Sequence, residues 1–294
     1  MTPDFDPENF FENLQEQIAV HRALRHPFLQ RFSQQSLTLE QLRTFAVQHY
    51  MYSRLFTRNM AAALANVPDE DARSLLILNL YEEIGEPFRM RERVHLLLLQ
   101  EGLVRAEDVG EAFGTLAAGP GRGDIVQVLI ERGLVQRQQV LDVVSRHTNE
   151  AKSLTHPAIF RRFLKALGVS AEIVERNEAI PETRHMIAEY QDVCRNGHWL
   201  EAMGAMGPGT ECVVPALYTF IEEGLARSGF LAREDYLFWT IHIHCDDGHG
   251  ANIIKAISPF ARTREDQQRI TRGAGRVLDA RATWFDGLAR LLGL

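Results

Sequence analysis

Apolar residues recur three and four positions apart through most of this chain. The segments "ENFFENLQEQIAVHRALRHPFLQRF" (8–32), "LEQLRTFAVQHYMYSRLFTRNMAAALA" (39–65) and "DARSLLILNLYEEIG" (71–85) each carry that spacing, which puts one apolar stripe on an α-helix. Alternating strand patterns are scarce, so the pattern predicts a mostly helical chain. Start and stop signals agree. Thr38 precedes Leu39, Asp69 to Asp71 open the third segment, and "THPAIFRRFLKALG" (155–168) begins with a proline and ends on Gly168.

The middle of the chain has its own period. Residues 95–113, "HLLLLQEGLVRAEDVGEAF", and 126–144, "VQVLIERGLVQRQQVLDVV", share an apolar helix, a charged residue, Gly-Leu-Val, a short polar link and a second amphipathic helix. Gly102 matches Gly133 and Val109 matches Val140, and "AAGPGRGD" between the copies marks a loop. Two copies are too few for a solenoid, so 86–153 is expected to be a small helical module inserted into a domain made of 1–85 and 154–294. The repeat resembles the N-terminal helical modules of type II secretion and pilus-assembly ATPases, some of which bind a cyclic dinucleotide. Their Arg-Leu-Gly hallmark is here Arg122-Gly123-Asp124, so nucleotide binding is not carried over, and packing or partner binding is the expected role.

The 294 residues suffice for a sizeable core. Hydrophobic residues make up 45% and charged residues 24%, an ordinary globular balance, and no apolar run approaches the ~20 residues of a membrane span. The acidic start, "MTPDFDPENFFENLQ", lacks a basic then apolar secretory signal, so the expected location is cytoplasmic. Cys194, Cys212 and Cys245 are far apart with no CxxC pair, which argues against a disulfide framework or a thiolate zinc site. A net charge of −7 without a basic stripe disfavours nucleic acid.

Candidate chemistry concentrates in "IHIHCDDGHG" (241–250). At about 100° per residue, His242, Asp246 and His249 fall on one helical face, whereas His244 and Asp247 point elsewhere. Beside Phe238, Trp239 and Ile241, two imidazoles and a carboxylate would be costly to bury unpaired. A metal would satisfy them, and a partly exposed polar face would explain the same spacing. Glu83 in "LILNLYEEIG", Glu211 in "GPGTECVVPALYTFI" and His156 before Pro157 each read individually as a solvated, capping or packing residue. Two Glu-x-x-His motifs, Glu92 to His95 and Glu182 to His185, offer a ferritin-like alternative. Each lies beside arginines or a proline, which suits surface pairs.

The order of these pieces, "NLYEEIG", "HPAIFRRFLKALGVSAEIVE", "ECVVP" and "YLFWTIHIHCDDGH", resembles the heme-oxygenase-like diiron oxidases, relatives of the thiaminase II and quinone-cofactor synthase folds. The resemblance covers residues 10–85 and 154–265. It implies an all-α, heme-oxygenase-like bundle with metal ligands Glu83, His156, Glu211 (with Pro215 four residues on), His242, Asp246 and His249. It also implies two ferrous ions, with manganese as the alternative, and O2 as co-substrate. This donor set suits iron or manganese better than structural zinc. The expected partners are a small amine, amino acid or carboxylic acid as substrate, an external electron donor and a second copy in a homodimer.

Para-aminobenzoate synthesis within that family consumes a tyrosine and a lysine beside the metals. The corresponding positions here are Leu29 and Ile221, which disfavours that activity. Tyr50 and Tyr52 are candidate pocket residues, with Arg54 or Arg184 to hold a substrate carboxylate. Two other readings stay open: a cofactor-free enzyme of the same fold using histidine acid-base chemistry, and a non-enzymatic adaptor that binds a partner through the repeat.

Overall fold

A computed structural model of the chain describes residues 9–84, 94–95, 97–99, 101–118, 125–152, 156–245 and 247–294, and among them there is no strand. Asp246, Glu92 and the Arg122–Asp124 stretch, all named above, lie outside the described residues. The helices are α1 (Phe10–Ala19), α2 (Pro27–Gln34), α3 (Leu39–Ser53), α4 (Phe56–Ala65), α5 (Glu70–Ile84), α6 (Ala106–Ala118), α7 (Ile125–Glu131) and α8 (Arg137–Lys152). They continue with α9 (His156–Ala166), α10 (Ala171–Arg176), α11 (Pro181–Asn196), α12 (Trp199–Met206), α13 (Val214–Ser228), α14 (Leu237–Cys245), α15 (Asp247–Ile257) and α16 (Arg264–Leu292). No described helix is long and apolar enough to cross a membrane.

The predicted caps are present. Thr38 opens α3 through a capping box with Gln41, the Asp69 carboxylate accepts from the backbone N–H of Ala72 at 2.8 Å, and Gly168 takes the left-handed conformation after α9.

Two compact units divide the chain: Met1–Tyr81 with Ile159–Leu294, and Glu82–Ala158. The dividing line falls inside α5 and α9. Most of each helix is therefore rooted in the first unit's core, through Ala72 and Leu76 on α5 and Ile159, Phe160 and Phe163 on α9.

The first unit is organised by α16. Its inner stripe carries Ala274, Val277, Leu278, Trp284, Phe285 and Leu288, all buried, and each aromatic or leucine side chain contributes on the order of 2–3 kcal/mol by leaving water. The crossing of α12 over α16 is a backbone-to-backbone approach. A Cβ on Gly204 would lie 2.1 Å from the Ile270 carbonyl oxygen, and one on Gly273 would lie 1.8 Å from that of Glu201. Only glycine on both helices permits this spacing.

The second unit has a core of its own around Leu98, Val104, Leu129, Val135 and Val143. The 31-residue repeat is visible in its bonding. Gly102 and Gly133 both adopt positive φ, 68° and 71°, while Leu103 N–H bonds the Leu98 carbonyl at 2.9 Å and Leu134 N–H bonds that of Leu129 at 3.0 Å. Each copy thus ends its first helix in a Schellman-type turn and starts the next from a side-chain cap, Asp108 or Gln139.

Candidate metal centre

The inner face of α5 carries a run of polar residues because helix spacing stacks Asn79 and Glu83 one turn apart. Asn79 is buried, donates to the His249 carbonyl at 2.9 Å and accepts from the Asn252 amide at 3.0 Å. Glu83, 3% exposed, has an Oε2 that lies 2.8 Å from Nδ1 of His156, the first residue of α9. Although 73 positions separate them, the end of α5 and the start of α9 bring these two side chains together.

Glu211 is placed by a π-helical turn, Gly207–Glu211, that follows α12 directly. Pro208 has no N–H, so the ladder widens, and Cys212 N–H reaches back five residues to the Gly207 carbonyl at 3.1 Å. The turn buries Glu211 to 2% exposure and leaves its Oε2 3.8 Å from Nδ1 of His249 on α15. Gly250 leaves room for the turn, since a Cβ there would meet Cys212 Sγ at 2.7 Å.

His242, buried on α14, points Nδ1 at the Phe238 carbonyl 2.5 Å away. Nδ1 therefore holds the proton, and Nε2 keeps its lone pair for a ligand. A second hydrogen bond of this kind is what fixes the tautomer of metal-binding histidines. Glu83 and His156 thus form one carboxylate–imidazole pair, and Glu211 and His249 another.

Each pair has the spacing of two ligands on one first-row metal ion. Two donors on one ion, each about 2.1 Å from it, sit roughly 3 Å apart at a right angle and about 4.2 Å apart at most. The Glu83–His156 and Glu211–His249 separations, 2.8 and 3.8 Å, fall in that range. Thiolate is absent from these groups. Cys212 beside Glu211 is pushed up to about 12, mainly by burial and then by the Glu211 charge, so it stays a protonated thiol.

The proposed substrate contacts need correction. Arg184 is exposed and its guanidinium donates to the Ala179 carbonyl, while Arg54 is exposed and lies 6.0 Å over the Tyr50 ring. Neither forms the wall of a buried pocket. Tyr50 stacks on Phe160 at 5.4 Å, and Tyr52 is buried against Tyr190 and Trp284, so both pack the core. Glu182 pairs with Arg290 and His185 is exposed, which removes that Glu-x-x-His motif from ligand duty.

Residues not foreseen from the sequence lie beside His242. Tyr218 has its ring 5.5 Å from the His242 imidazole and its hydroxyl 3.4 Å from His49 Nε2. His49 is enclosed by Phe160, Trp239 and Trp284. Arg281, 1% exposed, donates to Tyr190.

Residues 147–282 match the iron-containing redox enzyme family and residues 14–107 the TENA/THI-4/PQQC family. A 4-aminobenzoate synthase of Chlamydia trachomatis is 33% identical over 243 residues, 82% of this chain and 76% of that protein. The chain belongs to the heme-oxygenase-like iron-containing redox enzymes. A second relative of this iron-containing redox enzyme, the 4-aminobenzoate synthase of Nitrosomonas europaea, is 29% identical over 153 residues, 52% of this chain, and the match spans 61% of that protein. The 4-chloro-allylglycine synthase of Streptantibioticus cattleyicolor is 20% identical over 98% of this chain and 87% of its own length. The fold is shared with a TenA homologue from Pseudomonas syringae pv. tomato, with a TM-score of 0.61 at 10% identity over 99% of this chain and 98% of that one.

Proposed function

We propose that this iron-containing redox enzyme is an O2-dependent nonheme diiron oxidase acting on a small amine, amino acid or carboxylic acid. The observation that carries the reading is the meeting of a carboxylate and an imidazole in two places, Glu83 with His156 and Glu211 with His249. Glu83, His156 and His242 would hold one iron, Glu83, Glu211 and His249 the other, and Asp246 would complete the set of three carboxylates and three imidazoles. Bound ferrous iron supplies the electrons that activate O2. Manganese suits the same donors.

The chain's own residues orient and enclose. The Phe238 carbonyl holds the His242 ring in register, and Phe238 and Trp239, both buried, keep water from that side. Access to Glu211 is provided by a cleft of about 400 Å³ lined by Cys212, Pro215, Gly250, Ile254 and Lys255. That volume is near the low end for ligand pockets and supports a small substrate, and the exposed Lys255 ammonium gives the rim a positive charge suited to a carboxylate.

Leu29 and Ile221 are each 1% exposed and packed in the apolar core. They offer no phenol or amine to be consumed, which supports an external substrate and an external electron donor over a self-sacrificing reaction. Protein purified anaerobically and loaded with Fe(II) tests the proposal. It should hold two irons per chain and consume O2 when substrate is added. Fewer than one iron per chain, with His242→Ala binding as much as wild type, would refute it.

A further inference from the structure

The turn that delivers Glu211 is held by more than its own backbone. A π turn widens the helix and leaves poorer hydrogen bonds than an α turn, and in this one Pro208 contributes no donor at all. Beside the backbone bond from Cys212 N–H to the Gly207 carbonyl, a side chain ties the turn to the helix before it: Thr210 Oγ1 lies 2.8 Å from the Ala205 carbonyl. Thr210, 2% exposed, directly precedes Glu211.

Thr210 is in turn held from two other helices. Tyr190 on α11 has its hydroxyl 2.6 Å from Thr210 Oγ1, and Arg281 on α16 has Nη2 2.8 Å from the Tyr190 hydroxyl. The direction of every bond in this chain can be assigned. A guanidinium only donates, so Tyr190 accepts from Arg281. A carbonyl only accepts, so the Thr210 proton goes to Ala205. The bond between Tyr190 and Thr210 therefore uses the phenol proton. Arg281 to Tyr190 to Thr210 to Ala205 is a single relay of donors, headed by a fixed positive charge that strengthens each following bond in an interior of low dielectric.

Burying Arg281 makes little sense for stability alone. It is 1% exposed, its hydrogen-bond partners among the described residues are the phenols of Tyr190 and, at 3.4 Å, Tyr52, and its Nε has none. A buried cation held only by neutral groups costs several kcal/mol relative to an apolar side chain of similar size.

We infer that Arg281, Tyr190 and Thr210 are positioning residues that lock the Gly207–Glu211 turn and so hold the Glu211 carboxylate at ligand distance from His249. This rests on the diiron reading above. The relay reaches Glu211 and none of the residues of the Glu83–His156–His242 group, so its loss should weaken one iron and spare the other.

The test is a titration of metal-free protein with Fe(II) under anaerobic conditions, following stoichiometry and both affinities, with circular dichroism and thermal melting as the check on folding. Thr210→Val keeps the shape and removes the hydroxyl, Thr210→Ser restores it, and Tyr190→Phe removes the next link. Thr210→Val and Tyr190→Phe should bind the first iron as wild type does and the second about 10–100-fold more weakly, the loss seen when the support of a metal ligand is removed. Thr210→Ser should recover the second iron. Wild-type binding of two irons by Thr210→Val and Tyr190→Phe would overturn the inference, as would equal weakening of both irons or a loss that Thr210→Ser shares. A wild-type chain that binds no iron would instead refute the diiron reading itself.

Discussion

His49 is a buried histidine whose titration should be readable in the stability of the whole chain. Burial first, then the charges of Arg281 and His242, push it from the usual 6.5 down to about 3. The unfolded chain takes up this proton below about pH 6.5, whereas the folded chain refuses it until about pH 3. Stability that is fully present above pH 6.5 is therefore lost progressively as the pH falls through that window. Each unit of difference is worth about 1.4 kcal/mol, so the linked loss from pH 7 to pH 5 is about 2 kcal/mol, and about 4 kcal/mol would accumulate on reaching pH 3. His49→Gln removes the titration and keeps an amide to face the Tyr218 hydroxyl. Urea unfolding of metal-free wild type and His49→Gln at both pH values gives the comparison, and other titrating groups cancel in the difference. Wild type should lose about 2 kcal/mol more than the variant. Equal losses in the two proteins would show that His49 is not held neutral by its surroundings.

Further outcomes follow from the same geometry. Glu83→Ala removes the carboxylate that the proposed function assigns to both irons and should abolish iron binding, whereas His249→Ala should leave about one iron per chain, both measured by metal analysis after anaerobic loading. Gly204→Ala places a methyl 2.1 Å from the Ile270 carbonyl oxygen and should destabilise the fold by about 3 kcal/mol or more in thermal melts. Gly133→Ala meets nothing within 4 Å but must hold a φ of 71°, so the expected cost is only about 1 kcal/mol.

The helices were legible because their apolar spacing is the cause of their packing: α3, α5 and α9 begin and end close to the caps that Thr38, Asp69 and Gly168 supply. The repeat was legible for a similar reason, since a left-handed turn after a helix selects glycine at both Gly102 and Gly133. Glu83 and His156 were harder to join. Their meeting depends on where α5 ends and α9 starts, which no local pattern encodes.

The π turn escaped notice because "GPGTE" reads as an ordinary breaker between helices. Its width comes from the missing Pro208 donor together with the Thr210 hydroxyl bond. Arg54 and Arg184 are exposed, whereas Arg281 is buried in the core. Arg281 in fact sits on the stripe of Val277, Leu278, Phe285 and Leu288, in step with the apolar period. A charged residue at a core position of an otherwise regular stripe was the available signal. His49 within "FAVQHYMY" gave the same signal on α3.

The central claim is that Glu83 is common to two iron positions, and Mössbauer spectroscopy of anaerobically loaded ⁵⁷Fe protein tests it most directly. Wild type should show two high-spin ferrous ions per chain. After brief exposure to O2, they should become a diamagnetic, antiferromagnetically coupled diferric pair. Glu83→Ala should show neither. A single magnetically isolated iron in wild type, or a coupled pair that survives Glu83→Ala, would contradict it.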